Sequence, residues 1–150
     1  MALVGFVGLA LLVGAADGAI ASGTARAWYF SLDRPPGAPP EMAFGPIWAV
    51  LYVCCGLGGW AAWRRAGAGP ALRLWGWQLF ATAVRAAAFF GLHNPALSIA
   101  VGVLTLGLLV LVIRQFGAIR RGAAWLMVPS LLWTGYSLYL DAGILVLNPA

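Results

Sequence analysis

The chain has 150 residues, of which 63% are hydrophobic and 9% charged, against about 25% charged in an ordinary soluble domain. That balance excludes a water-soluble globular protein. Each helical span of a bilayer takes roughly 20 apolar residues, so this length holds about five spans and leaves no room for a separate soluble domain. The formal charge of +5 comes from nine arginines, which punctuate hydrophobic runs instead of forming a solvated basic face and so argue against nucleic acid as a partner.

The expected fold is all-α: an integral membrane protein built as one five-transmembrane-helix bundle over residues 1–150, with spans near 2–24, 44–65, 71–91, 95–115 and 122–146. The first run, MALVGFVGLALLVGAADGAIASGTARA, lacks the positive start of a signal peptide and is interrupted by Asp17, so it reads as a span. A loop over 25–43 follows. It holds LDRPPGAPP, Leu32 to Pro40, a stiff and charged text in an apolar protein. On the second span Trp48, Tyr52, Cys55 and Gly59 share one face at 100° per residue, and adjacent Cys54 and Cys55 suit neither a disulfide nor a metal site and read as small hydrophobes. On the third, Gln78, Thr82, Arg85 and Phe89 share a face; on the fifth, Ser130, Trp133, Ser137 and Asp141 do. The fourth, with Ser98 and Thr105 in its core, looks largely structural. Gly45-Pro46, Gly69-Pro70 and Asn94-Pro95 each place a proline at a first helical position, whereas Pro129 falls inside the fifth run and should kink it.

Arginine placement sets orientation. Arg64, Arg65 and Arg73 flank the second connection and Arg114, Arg120 and Arg121 the fourth, against Arg26 and Arg34 at the first. The N-terminus is therefore expected in the cytoplasm, with the first loop and the C-terminus external, in a bacterial cytoplasmic membrane or alternatively an outer membrane. Trp60, Trp63, Trp75, Trp77 and Trp125 fall near the inner ends, where an interfacial aromatic belt belongs. Charges inside spans mark functional sites by default. Asp17, Arg85 and Asp141 lie roughly 8 to 10 Å in from the outer ends at 1.5 Å per residue. Turned inward, the polar faces line a pocket with aromatic walls; Asp17 taken by itself points less to a site, since it could simply neutralise Arg85, and the plainer alternative is that these groups only hydrogen-bond helices together.

The stretches WYFSLDRPPGAPPEMAFGPIWAVLY (28–52), QLFATAVRAAAFF (78–90) and VPSLLWTGYSLYLDAGILVLN (128–148) resemble the translocator protein family, also called tryptophan-rich sensory proteins, over essentially the whole chain. The resemblance implies a five-helix bundle, often dimeric, that binds porphyrins and other flat hydrophobic ligands in a pocket closed by the first loop. On that basis Trp48 and Trp133 are the pocket tryptophans, and Trp28, Pro35, Pro39, Pro40 and Pro129 hold loop and kink positions. Gly37, Thr82, Arg85, Ser130 and Asp141 depart from the family's usual residues, and the new cation Arg85 and new anion Asp141 stand at matching depths, where they could pair.

The expected ligand-binding residues are thus Trp28, Arg34, Pro35, Trp48, Tyr52, Gln78, Thr82, Arg85, Phe89, Ser130, Trp133, Ser137 and Asp141, with LDRPPGAPP as a lid. No catalytic set, metal site or cofactor is expected, and the position of His93 in an exposed turn argues against its being a haem ligand. The leading reading is a tetrapyrrole sensor, scavenger or carrier that contacts a porphyrin-like ligand and membrane lipid. Light-driven oxidative breakdown of a bound porphyrin and transport of small hydrophobic molecules are the alternatives. A homodimer is expected through the small-residue stripe Ala83, Ala87 and Gly91 on the third span, with Ala10, Gly14, Gly18 and Ser22 on the first used for packing inside the bundle.

Overall fold

The structure, a computed structural model, describes residues 1–149; Ala150, the last residue of the expected domain, lies outside the described residues. It contains six α-helices and, among the described residues, no strand: α1 (Ala2–Ile20), α2 (Gly23–Ser31), α3 (Glu41–Ala66), α4 (Pro70–Ala86), which continues as a π-helical turn over Ala87–Gly91, α5 (Pro95–Ile119) and α6 (Arg121–Leu147). Four of these, α1, α3, α5 and α6, are long and apolar enough to cross a membrane, while α4 has only 17 residues before its π turn. The expected count of five helices is therefore not matched as such.

Two boundaries depart from expectation for identifiable reasons. The run 2–24 does not stay one helix: Ser22 Oγ donates to Ala19 O at 2.7 Å, offering the backbone a local alternative, and Gly23 takes φ +59°, so the chain turns and restarts as α2 inside what reads as a loop. Likewise α3 starts at Glu41, after Pro40 with extended backbone, and Pro46 lies inside it rather than at its first position. The missing N–H of Pro46 orphans only the carbonyl of Met42, in the first turn of α3. Pro70 and Pro95 do open α4 and α5, the second helped by Asn94, whose side chain accepts from Leu97 N at 3.0 Å. α6 runs helical through Pro129.

The long helices pack in a ring, α1 against α3, α3 against α6, α6 against α5 and α5 against α4, closed by a thinner contact between α4 and α1. The distribution of polarity is inverted relative to a soluble bundle. Leu9, Leu12, Val103, Leu104, Leu132 and Val146 face outward, whereas Gln78, Arg85, Ser98, Thr105, Ser130, Thr134, Ser137 and Asp141 are buried. Such an apolar exterior is suited to lipid, which rejects unpartnered polar groups. Trp75 is a correction to the expected belt: it is 4% exposed, packs on Phe6 and donates Nε1–H to Cys55 O at 3.0 Å. Trp77 and Trp125 do lie on the outer surface.

The small-residue stripe of α1 works inside the bundle, as expected: Ala10 is fully buried, and a Cβ on Gly14 would stand 2.5 Å from Tyr52 Cδ2. On α4, Ala83 and Ala87 are half-buried and Gly91 is exposed, near Ile20 of α1.

Candidate functional site

The ring does not close on itself at the end that carries α2. Its interior there is a cavity of about 600 Å³, within the ~300–1,000 Å³ of small-molecule sites. Its walls are aromatic: Trp48 stacks on Tyr52 with centroids 5.9 Å apart, Trp133 meets Trp48 edge-on at 6.1 Å, and Phe44 meets Trp133 edge-on at 6.4 Å. The π turn after α4 widens the helix by one residue, its mark being Leu92 N bonded to Ala87 O at 2.9 Å, and it presents both Phe89 and Phe90 to the cavity.

The expected pair forms. Arg85 Nη2 donates to Asp141 Oδ2 at 2.6 Å, and Ser98 Oγ donates to the same oxygen at 2.8 Å. Arg85 is 9% exposed and Asp141 5%. Arg85 can lie flat against α5 because Gly102 has no side chain; a Cβ there would stand 3.1 Å from Arg85 Nε. Ser98 corrects the view of the fourth span as structural, since it supplies a ligand to the buried carboxylate and lines the cavity. Its signal was positional: one turn from the start of its helix, at the level of Asp141. Asp17 lines the cavity as well, but its Oδ2 accepts from Tyr52 Oη instead of bonding Arg85.

Eight of the expected residues line the cavity: Trp48, Tyr52, Thr82, Arg85, Phe89, Trp133, Ser137 and Asp141. Five do not. Gln78 and Ser130 flank a separate void of about 20 Å³ on the far side of Trp48, Tyr52 and Trp133, and Gln78 is taken up by Thr82 Oγ1 at 3.0 Å and by Cys55 Sγ at 3.5 Å. Trp28 packs on Phe89 and on His93 from outside the cavity. Arg34 places its guanidinium 4.9 Å from the ring centre of Phe30, and Pro35 packs on Gly143 of α6.

LDRPPGAPP therefore acts as a strap along the end of α6. Asn148 accepts from Asp33 N at 3.0 Å and donates to Asp33 O at 2.8 Å, Tyr139 Oη donates to Pro36 O at 3.0 Å, and Tyr136 Oη donates to Gly37 O, where φ +87° turns the backbone. What covers the cavity is α2 and the start of α3, through Arg26, Tyr29, Phe30, Glu41 and Met42. Sequence reasoning missed these because α2 was hidden in the loop 25–43; the opposite charges of Arg26 and Glu41, which pair across the mouth, were the available signal. Tyr29, 5% exposed, packs this cover against Phe30, Phe44, Phe89 and Phe90, and burial pushes its phenol up from the usual value.

Comparison with known proteins agrees with this architecture. The model of the TspO/MBR family matches residues 6–147. The chain is 31% identical to the tryptophan-rich protein TspO of Chlorobaculum tepidum over 95% of this chain and 93% of that protein. It is 30% identical to the bovine translocator protein over 89% and 82% of the two chains, and 32% identical to the translocator protein homolog of Schizosaccharomyces pombe over 80% and 77%. With a family match across nearly its whole length, and with buried polar residues inside an apolar exterior, the chain is an integral membrane protein that belongs to the TspO/MBR family.

Proposed function

We propose that this protein binds flat hydrophobic ligands of the tetrapyrrole type in the cavity beneath α2, as a membrane sensor, scavenger or carrier. One observation carries the reading. Among the described residues, the buried side-chain polar atoms without a hydrogen-bond partner are Asp17 Oδ1, Arg85 Nε and Trp133 Nε1, and all three residues line that one cavity. Unpartnered buried polar groups are costly and are retained where something else uses them. α4 with its π turn serves as the fifth span, the N-terminus faces the cytoplasm, and two copies pair through α4; the arginine distribution and the small residues Ala83, Ala87 and Gly91 support those assignments.

Titration of purified protein with protoporphyrin, haem and a sterol, followed by tryptophan fluorescence in the dark, tests the reading. Quenching by protoporphyrin that shrinks in Trp48→Phe and Trp133→Phe is the expected result; no saturable quenching by any tetrapyrrole refutes it. The edge-on contact of Trp48 and Trp133 in the cavity wall favours a second reading, light-driven oxidation of the bound porphyrin with dissolved dioxygen as the oxidant. Illuminating the same complex separates the two, since binding without product removes the second.

A further inference from the structure

Five charged side chains line the cavity: Asp17, Arg26, Glu41, Arg85 and Asp141. Four are already matched, Arg26 with Glu41 at the mouth and Arg85 with Asp141 at depth. Asp17 is the remainder. Its Oδ2 accepts from Tyr52 Oη, and its Oδ1 is buried with no partner among the described residues. Arg85 Nε, also without a partner, belongs to a guanidinium whose charge Asp141 already answers. The carboxylate of Asp17 has no such counter-charge among the described residues.

Its surroundings define a chemistry. Tyr52, which holds one oxygen, stacks on Trp48, and Trp48 meets Trp133, so the unmatched carboxylate stands at the end of a run of π faces. Aromatic faces attract an organic cation most strongly where water is excluded, and a carboxylate beside them adds a charge-assisted partner. A carboxylate ligand meets the opposite situation, because both lining arginines are already engaged by acids.

We infer that the Asp17 end of this cavity is a subsite for a lipophilic organic cation, a protonated or quaternary amine carried on an aromatic body, with Asp17 as counter-charge and Trp48 and Tyr52 as the aromatic wall. The inference rests on the ligand-binding reading of the same cavity but adds a selection by charge. Asp17 is held for this by shape: Gly14, one turn earlier on α1, lets the Tyr52 ring lie against the helix so that its hydroxyl reaches the carboxylate.

The test is a matched pair of fluorescent probes, pyrenylmethyl-trimethylammonium and its neutral isostere with carbon in place of the nitrogen, titrated against protein in nanodiscs of zwitterionic lipid. Wild type should bind the cation about tenfold more tightly than the isostere, and Asp17→Asn, whose amide oxygen can still accept from Tyr52, should reduce that ratio to near one. Tyr52→Phe keeps the ring and removes the hydroxyl that shares the carboxylate's charge, so its ratio should exceed that of wild type; this arm stands even if Asp17→Asn does not fold. A wild-type ratio near one, a ratio retained in Asp17→Asn, or one unchanged in Tyr52→Phe overturns the inference. Protoporphyrin dimethyl ester, titrated alongside, separates the failures: if the ester binds and the cation shows no preference, only the charge selection falls, and if neither probe nor ester binds, the ligand-binding reading falls with it.

Discussion

Removing one member of the Arg85–Asp141 pair should cost far more than removing both. Arg85 and Asp141 are 11% and 8% exposed in their side chains, and their contact is 2.6 Å. In a site this poorly solvated, taking away one ion strands the other, at about 3 to 5 kcal/mol, whereas replacing both by apolar groups of similar volume is often close to neutral. Arg85→Met should therefore leave Asp141 with Ser98 as its one remaining bond, and Asp141→Leu should leave Arg85 against Gly102 with no acceptor. Each single variant is expected to lose about 3 kcal/mol or more, and the double variant about 1 to 2 kcal/mol, a coupling of several kcal/mol. Equilibrium unfolding in mixed micelles of mild detergent and sodium dodecyl sulfate, read by tryptophan fluorescence, measures all four proteins. If the two losses add to within about 0.5 kcal/mol, the sites are independent and the reasoning from burial is refuted.

Asp141→Asn, which keeps the volume and removes the charge, should free Arg85 for a ligand carboxylate and tighten protoporphyrin about tenfold without tightening its dimethyl ester; an equal gain for both rules out a carboxylate contact. Asn148→Ala removes the two bonds to Asp33 that fasten the strap, worth about 1 kcal/mol each, and hydrogen exchange at the Asp33 amide should accelerate roughly 30-fold; unchanged exchange means that Pro35 against Gly143 and the tyrosine bonds suffice. A reporter fused after Arg121 should be cytoplasmic and one inserted near Pro36 external, and the reverse pattern overturns the arginine argument. Light scattering in detergent should find a dimer for the wild type and a monomer for Ala87→Leu, and a dimer that persists in the variant removes α4 as the proposed interface.

Hydropathy and helical phase are local properties, and what depends on them was legible in the chain. The apolar runs mark the long helices, and counting at 100° per residue puts Trp48 with Tyr52, Thr82 with Arg85, and Trp133 with Ser137 and Asp141 on faces that do turn to one cavity. Even the pairing of Arg85 with Asp141 followed from depth, because a charge in a span has few places to go. The same counting failed for Gln78 and Ser130, which share those faces yet lie about one turn beyond Thr82 and Trp133 and flank the separate small void. Phase gives the direction of a side chain and not how far the cavity extends along the axis. Nor does sequence tell which helix an inward group will meet: Asp17 finds Tyr52 because Gly14 brings α1 close to α3, Ser98 finds Asp141 because α5 packs against α6, and Trp75 leaves the expected belt for the core because α4 meets Cys55. The conversion of LDRPPGAPP from lid to strap has the same origin. Its prolines make it stiff in any context, but what it lies on is decided by Gly143, Tyr136, Tyr139 and Asn148, residues about a hundred positions away that only the folded ring brings beneath it.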